Sequence, residues 1–340
     1  MKKIIIYIIT FFCIVILIPS VLTKQRKKVE NKEDIDVKAN ENKEEISNEE
    51  VYPKYDYTKY ATIKLYHNKT GEVEEHPIDE YLYGVVSSEM PANYELEALK
   101  AQAVVARTYT IFQITHSKGK HGDSDICDNF ACCQAWISKE DRIVKWSESE
   151  AEANWKKIMN AVDSTQGKVI TYQGNVIDAF FHSNSGGITE TANNVWGGQN
   201  FPYLQSVETS GEDEYSQYNS EVEIKKNELV NKLKEKYPEI NINFDEPDAI
   251  KILELTGSGR VKTVKFGNIQ IAGTEARTLL GLKSTNFQVK IENDTVKFTV
   301  IGYGHGVGMS QTGADSLAKQ GKNYEEIIKH FYKDVEICDM

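Results

Sequence analysis

The stretch YLYGVVSSEMPANYELEALKAQAVVARTY, Tyr81–Tyr109, decides how the rest of the chain is read. It holds two amphipathic helical patterns separated by Pro91. Ile78, Leu82 and Val85 precede Glu89 by eleven, seven and four residues. That is the spacing of one helix stripe, so Glu89 falls on the face that packs inward. Met90, standing before Pro91, is pushed out of helical geometry and ends the first helix. A second helix is predicted over Glu95–Ile114, with Leu96, Leu99, Ala103, Ala106 and Thr110 sharing one face. A carboxyl group at a helix end, against apolar neighbours, is partly desolvated; its pKa rises, as a general acid near neutral pH requires. The pattern fits a solvated surface acid or a cap for the second helix equally well. Gln102 and Arg107, the polar residues of the Ala-rich second helix, fit a solvated flank.

The chain has 340 residues, with 40 Lys and Arg against 51 Asp and Glu, a net charge of −11. That balance argues against a nucleic-acid binder, which would show a basic face. Ile4–Leu22 carries no charged side chain and is long enough to cross a bilayer as a helix. It lacks the short apolar core and small-residue cleavage site of a secretory signal, so residues 1–23 are read as an uncleaved anchor with a short cytoplasmic end. The positive charge that follows the span exceeds that before it, which taken alone favours the opposite orientation. Residues 24–54 begin with a Lys-, Glu-, Asp- and Asn-rich run that cannot bury enough apolar surface to order itself. As a flexible tether of about 27 residues it reaches on the order of 30 Å. The globular body is expected over 55–340, with an inserted lobe over about 208–300.

Within the body, strands are predicted at Thr62–Tyr66, Lys168–Tyr172, Val176–Phe181, Ala249–Thr256, Val261–Phe266, Phe287–Ile291 and Thr295–Val300. Helices are predicted at Glu148–Ser164, Glu221–Tyr237, Thr274–Gly281, Asp315–Gln320 and Tyr324–Tyr332. Helices mixed with hairpin-connected strands make an α+β body. The loop KGKHGDSDICDNFACCQAW gathers His121, Cys127, Cys132 and Cys133 within thirteen residues. These are ligands of the kind that hold a structural, tetrahedral Zn²⁺. A disulfide from Cys127 to Cys132 or Cys133 is the competing reading for a body facing an oxidising exterior. Two further loops are candidate binding surfaces. One follows the VIDAFF strand and holds His182, Ser183, Asn184, Ser185 and Gly186; a plain polar turn fits it as well. The other, GYGHGVGMSQ, holds His305, Ser310 and Gln311 among four alternate glycines that permit close approach of a ligand to the backbone. Trp196, in VWGG, is read either as core or as a surface for stacking on sugar rings.

Taken in order, GVVSSEMP with EALKAQAVVARTY, DICDNFACCQAW, HSNSGGITE with NVWGG and PYL, and GHGVGMSQTGA resemble the stage II sporulation protein D family over roughly residues 60–335. These are membrane-anchored peptidoglycan lytic transglycosylases of endospore-forming bacteria. The resemblance implies that Glu89 is the catalytic acid/base. It implies a two-lobed body with a glycan cleft, around which Gln102, Arg107, the His182–Gly187 loop and the His305–Gln311 loop lie. It further implies a Cys₃His zinc site at His121, Cys127, Cys132 and Cys133, with Cys132 standing where relatives have a second His. No cofactor would be needed for the chemistry itself. The resemblance also implies glycan strands freed of stem peptides as substrate, and the amidase stage II sporulation protein P and the membrane protein stage II sporulation protein M as partners. The setting it implies is the mother-cell membrane facing the forespore during engulfment. Related domains act as amidase enhancers, so a non-catalytic wall-binding scaffold for an amidase is the alternative.

Overall fold

The computed structural model describes residues 60–117, 119–198 and 201–340. The apolar Ile4–Leu22 span and the charged tether lie outside these residues. Among the described residues no helix is long and apolar enough to cross a membrane.

In chain order the elements are β1 (Thr62–Tyr66), β2 (Val73–Pro77), α1 (Ile78–Glu89), α2 (Leu96–His116), β3 (Ile126–Cys127), α3 (Lys139–Ile143), α4 (Glu148–Asp163), β4 (Lys168–Tyr172), β5 (Asn175–Val176) and β6 (Phe181–His182). They continue with α5 (Ala192–Trp196), β7 (Asn219–Lys225), α6 (Lys226–Lys234), β8 (Ile250–Leu255), β9 (Val261–Phe266), β10 (Ile269–Ala272), α7 (Gly273–Leu280), β11 (Phe287–Ile291) and β12 (Thr295–Ile301). The chain closes with β13 (Met309–Ser310), α8 (Gln311–Lys319), α9 (Tyr324–Phe331) and β14 (Glu336–Asp339). Helices and mostly antiparallel strands are thus interleaved, an α+β architecture.

Helix α2 is the axle of the first hydrophobic core. Its Ala98, Ala101, Ala103 and Ala106 let neighbours approach closely, and α1, α4, α8, α9 and β4 all pack on it. It is therefore buried almost all round rather than along one stripe. Helix α1 ends as its sequence dictates: Met90, before Pro91, is extended at φ −125° and ψ 143°. A second hydrophobic cluster is built from β7–β12, α6 and α7, with Leu229, Val264, Phe266, Val296 and Phe298 at its centre.

Two predicted elements are corrected. The segment expected as a helix from Glu221 begins as strand β7, because Val222 and Ile224 alternate inward and pair with Phe298 and Val296 of β12. The helix starts only at Lys226. Nor is VIDAFF one strand. Its first residue closes the β4–β5 hairpin, whose turn places Gln173 and Gly174 at φ 50° and 74°, and the chain then leaves that sheet. Phe181 and His182 pair in parallel with Met309 and Ser310 instead.

That parallel pair is set by a glycine. Gly308 has φ +71°, and a Cβ there would lie 1.9 Å from the Phe180 carbonyl oxygen. Gly308→Ala is expected to cost about 2 kcal/mol of stability, measured by urea denaturation, because backbone rather than a flexible side chain must yield.

Asp178, between β5 and β6, is buried with one long hydrogen bond from Gln113 Nε2 at 3.4 Å. Burial pushes its pKa up to about 7, against smaller opposing effects of Lys120 and Gln113. Protonated Asp178 stabilises the fold below the ordinary carboxylate range, and this contribution is lost as pH rises towards 7. Asp178→Asn is therefore expected to gain roughly 3 kcal/mol over the parent at pH 8 and almost nothing at pH 4, as read from denaturation at the two pH values.

Candidate active site

Glu89 is the last residue of α1, and its two carboxylate oxygens are held from two distant parts of the chain. The Ala135 backbone N–H donates to Oε1 at 2.6 Å, and Gln311 Nε2 donates to Oε2 at 3.3 Å. Gln311 also donates to Gln102 Oε1 at 3.4 Å, so Glu89, Gln311 and Gln102 form a row across α1, α8 and α2. Gln102 is fully buried and its Nε2 has no hydrogen-bond partner among the described residues. Glu89 is half-buried as a residue, keeping one side to solvent. Protein surrounds enough of the carboxyl group for burial to raise its pKa, against the hydrogen bonds from Ala135 and Gln311.

Solvent reaches Glu89 through a cleft of about 490 Å³, lined among others by Asn93, Arg142, Trp146, Glu150 and Gln217. The Arg142 guanidinium stacks 4.7 Å from the Trp146 ring, which gives the cleft a cationic and an aromatic surface. Glu150 is the other carboxylate of the lining. It is exposed, near the start of α4, and accepts a hydrogen bond from Ser147 Oγ at 2.6 Å.

The Ala135 amide is placed by the cysteine-rich loop. Gln134, beside it, donates from Nε2 to Tyr81 Oη and Thr110 Oγ1, both at 2.8 Å, pinning the loop to α1 and α2. Just before it, the ligand atoms of His121, Cys127, Cys132 and Cys133 lie within 4.8 Å of one another. His121 Nε2 is 3.2 Å from Cys133 Sγ and 3.9 Å from Cys132 Sγ. All three thiols are free, so the disulfide reading is not adopted in this structure. The donor set and its spacing fit a closed tetrahedral Zn²⁺ site.

The two small-residue loops are organised around a carboxylate that the sequence did not single out. Glu212 is buried and accepts hydrogen bonds from Ser185 N (3.0 Å), Ser185 Oγ (2.5 Å), Gly187 N (2.9 Å), Thr209 Oγ1 (2.5 Å), Thr312 Oγ1 (3.0 Å) and Ser310 Oγ. Burial pushes its pKa up, but these donors outweigh it and leave it below the ordinary carboxylate value. Asn184 joins the same hub through Thr312 Oγ1 at 2.9 Å. Asn184, Ser185 and Ser310 thus hold the loops together behind Gln311 and do not bond to Glu89. Ser183 accepts from the Thr312 N–H at 3.0 Å through its carbonyl, and Gly186 packs against Ile301 and Gly302.

His182 and His305 form a pair with ring centroids 5.6 Å apart. Burial, with the nearby Arg260 cation, lowers the His182 pKa to about 3, and His305 is held well below its ordinary value by burial and by His182. Both rings are neutral at pH 7. Trp196 lies 5.1 Å from His305 and is 51 % exposed, so it is a surface ring rather than core.

Arg107 is placed away from this region. It is fully buried, and its guanidinium donates to Asp79 Oδ1 at 3.0 Å and to the carbonyls of Thr165 and Lys168 at 2.9 and 3.3 Å. Five residues beyond Gln102 on the same helix, it points about 140° away from it. Its contacts tie α2 to α1 and to the turn before β4; they are structural. Neither Gln102 nor Arg107 is a solvated flank, because α2 has no solvent side at these positions.

A half-buried acid at a helix end, held by a fixed amide and opening on a cleft, has the geometry to give up and take back a proton there. Residues 66–172, which carry Glu89, match the family model described as Stage II sporulation protein. The chain is 36% identical over 281 residues to Stage II sporulation protein D of Bacillus subtilis (strain 168), covering 82% of this chain and 79% of that protein. The counterpart of Bacillus amyloliquefaciens is 35% identical over the same length. The Amidase enhancer of Bacillus subtilis is 30% identical over 302 residues, covering 74% of this chain but 39% of that protein. The chain belongs to the stage II sporulation protein D family.

Proposed function

We propose that the protein is a peptidoglycan lytic transglycosylase that cleaves the bond between N-acetylmuramic acid and N-acetylglucosamine. The observation that carries this reading is the single elevated carboxyl of Glu89 at the cleft. An ordinary glycosidase uses two carboxyl groups on opposite sides of the scissile bond. When the substrate's own 6-hydroxyl is the nucleophile, one group suffices. Protonated Glu89 gives its proton to the glycosidic oxygen as the C1–O bond breaks. The resulting carboxylate takes the proton of the muramic-acid 6-hydroxyl, whose oxygen bonds to C1, and a 1,6-anhydro ring closes without water. The Ala135 N–H orients the carboxylate throughout, and Gln311 reaches it from α8.

Family membership supports a role in sporulation. The finer setting we propose is the one the sequence implies: the body is held by the N-terminal apolar span outside the cytoplasm and works on the wall during engulfment. Stage II sporulation proteins P and M are the proposed partners. The Amidase enhancer relative supports association with a cell-wall amidase. It also favours the second reading, a wall-binding activator without chemistry of its own. Incubating the purified chain with glycan strands separates the two. Release of fragments ending in 1,6-anhydro-muramic acid supports the enzyme; retention of the strands with no fragments supports the scaffold.

The zinc proposal concerns structure, not chemistry. His121, Cys127, Cys132 and Cys133 would hold the ion, and the ion would fix the loop that ends in Gln134 and Ala135. Zn²⁺ there would supply tetrahedral cross-linking of the loop. Chelation is expected to lower the thermal midpoint: a ligand a hundredfold above its Kd contributes about 2.7 kcal/mol, which chelation removes. A reduced protein with no bound zinc and an unchanged midpoint under chelation would remove the proposal.

A further inference from the structure

The first hairpin carries a second constellation of metal-ligating side chains, separate from the cysteine loop. The alternation that buries Ile63 and Leu65 on β1 puts His67, two residues on, on the same face. Across the ladder, His76 pairs with Ile63 and Glu74 with Leu65, so both side chains of β2 fall on that face too. His67 Nε2 lies 3.1 Å and His76 Nε2 lies 3.2 Å from the same oxygen, Glu74 Oε2. The three ligand atoms are all within 4.8 Å of one another.

Three features distinguish this group from a surface ion pair. Both His side chains are largely buried, at 17% and 14% exposure, while Glu74 faces solvent. His76 Nε2 is sealed from solvent and makes no hydrogen bond among the described residues, although a carboxylate oxygen stands beside it. His67 has a carboxylate behind it: its Nδ1 is 3.3 Å from Asp128 Oδ2, and Asp128 is itself fixed by the backbone and side-chain nitrogens of Asn68 at 3.0 and 2.8 Å. A carboxylate on the outer nitrogen of an imidazole selects the tautomer whose other nitrogen carries a lone pair, the arrangement found behind metal-bound histidines. Here that lone pair meets another carboxylate, so the space between His67, Glu74 and His76 calls for a positive charge. Ligands at zinc bond lengths in a tetrahedron stand roughly 3.3 Å apart, close to the two separations observed.

We propose that His67, Glu74 and His76 form a binding site for a Zn²⁺-like divalent cation, with an open coordination position on the solvent side of Glu74. The site abuts the cleft machinery through one residue. Trp136 packs 5.3 Å from the rings of both His67 and His76, and its neighbour Ala135 supplies the N–H on Glu89. A cation here locks the hairpin onto Trp136 and thereby steadies the segment that orients the acid. The inference does not depend on the chemistry proposed for Glu89 or on zinc in the cysteine loop.

The full chain, stripped of metal and kept reduced, is titrated with Co²⁺ and compared with Glu74→Gln and His76→Ala. Thiolate-to-cobalt charge-transfer absorption reports the cysteine cluster; a His/carboxylate site contributes only weak d–d bands. The wild type is expected to take up one more equivalent than either variant, and the lost equivalent carries no charge-transfer band. A Cys132→Ser/Cys133→Ser chain is expected to keep that equivalent. Glu74 is exposed, so Glu74→Gln tests the site without risk to the fold. Equal uptake and identical spectra for wild type and Glu74→Gln would overturn the proposal.

Discussion

Glu89→Gln is expected to cut glycan strands at least about 10³-fold more slowly than the parent chain while unfolding, at neutral pH, at a temperature no lower than the parent's. The amide keeps the shape of the side chain but has no proton to give to the leaving oxygen. General acid–base catalysis contributes about 10²–10⁴-fold, and in the proposed mechanism one group serves both halves of the reaction, so the loss falls in the upper part of that range. The pH dependence has a definite sign. Burial raises the Glu89 pKa above 4.5, and the proposed mechanism starts from its protonated form. The rate therefore holds through the weakly acidic range and falls as pH rises through the elevated pKa. Strand binding by Glu89→Gln, measured by sedimentation with purified glycan, should be unchanged. Equal turnover by the variant would remove the assignment.

Glu212→Ala carries the largest expected cost in stability, about 3–5 kcal/mol by urea denaturation. Six donors converge on this carboxylate from the Ser185–Gly187 loop, Thr209, Ser310 and Thr312. Removing it leaves buried hydroxyls and amides without an acceptor, and each lost partner is more costly than a hydrogen bond gained is favourable. Because the hydrogen bonds hold its folded pKa below 4.5, its contribution is present above that pH and fades as acid protonates it in the folded state. The parent should thus lose stability below about pH 4 more steeply than Glu212→Ala does. Cleavage should fall as well, since Gln311 follows Ser310 directly and reaches Glu89 only while the loop is held.

The contrast between Glu89 and Glu212 shows what the sequence made legible. Glu89 stands on a helical stripe that stops at a proline, and both signals are local, so its place at a helix end could be read from the fourteen residues Ile78–Pro91. The cysteine cluster was legible for a similar reason: four ligating side chains crowd into one short loop. Glu212 sits in a polar run, GEDEY, where acids ordinarily face water. Only the fold brings Ser185, Thr209, Ser310 and Thr312 to it, from up to a hundred residues away. The serines of the two loops read as ligand-binding groups because their residue type is right for that. The structure turns the hydroxyls of Ser185 and Ser310 inward instead.

Arg107 misleads in a related way. On a helix with one buried face, a polar residue five positions from Gln102 sits on a flank. Helix α2 is covered on all sides, and its arginine is satisfied by Asp79 and backbone carbonyls. Strand β7 was missed because Glu and Lys alternate with Val and Ile in EVEIK, which helix and strand both tolerate. Its pairing with β12 decides the matter. Ala135 left no trace in sequence at all, since any residue but proline offers the same N–H.

The central claim is that Glu89 acts alone, with the substrate's own hydroxyl as nucleophile. Glu150 is the other carboxylate at the cleft and the natural partner if the reaction were hydrolysis. Digestion of glycan strands in oxygen-18 water, followed by mass spectrometry of the fragments, distinguishes the two in one measurement. Intramolecular attack predicts fragments one water lighter than the hydrolysis product, with no oxygen-18 at C1, from the wild type and equally from Glu150→Gln. Fragments bearing oxygen-18 at C1, with cleavage lost in Glu150→Gln, would contradict it.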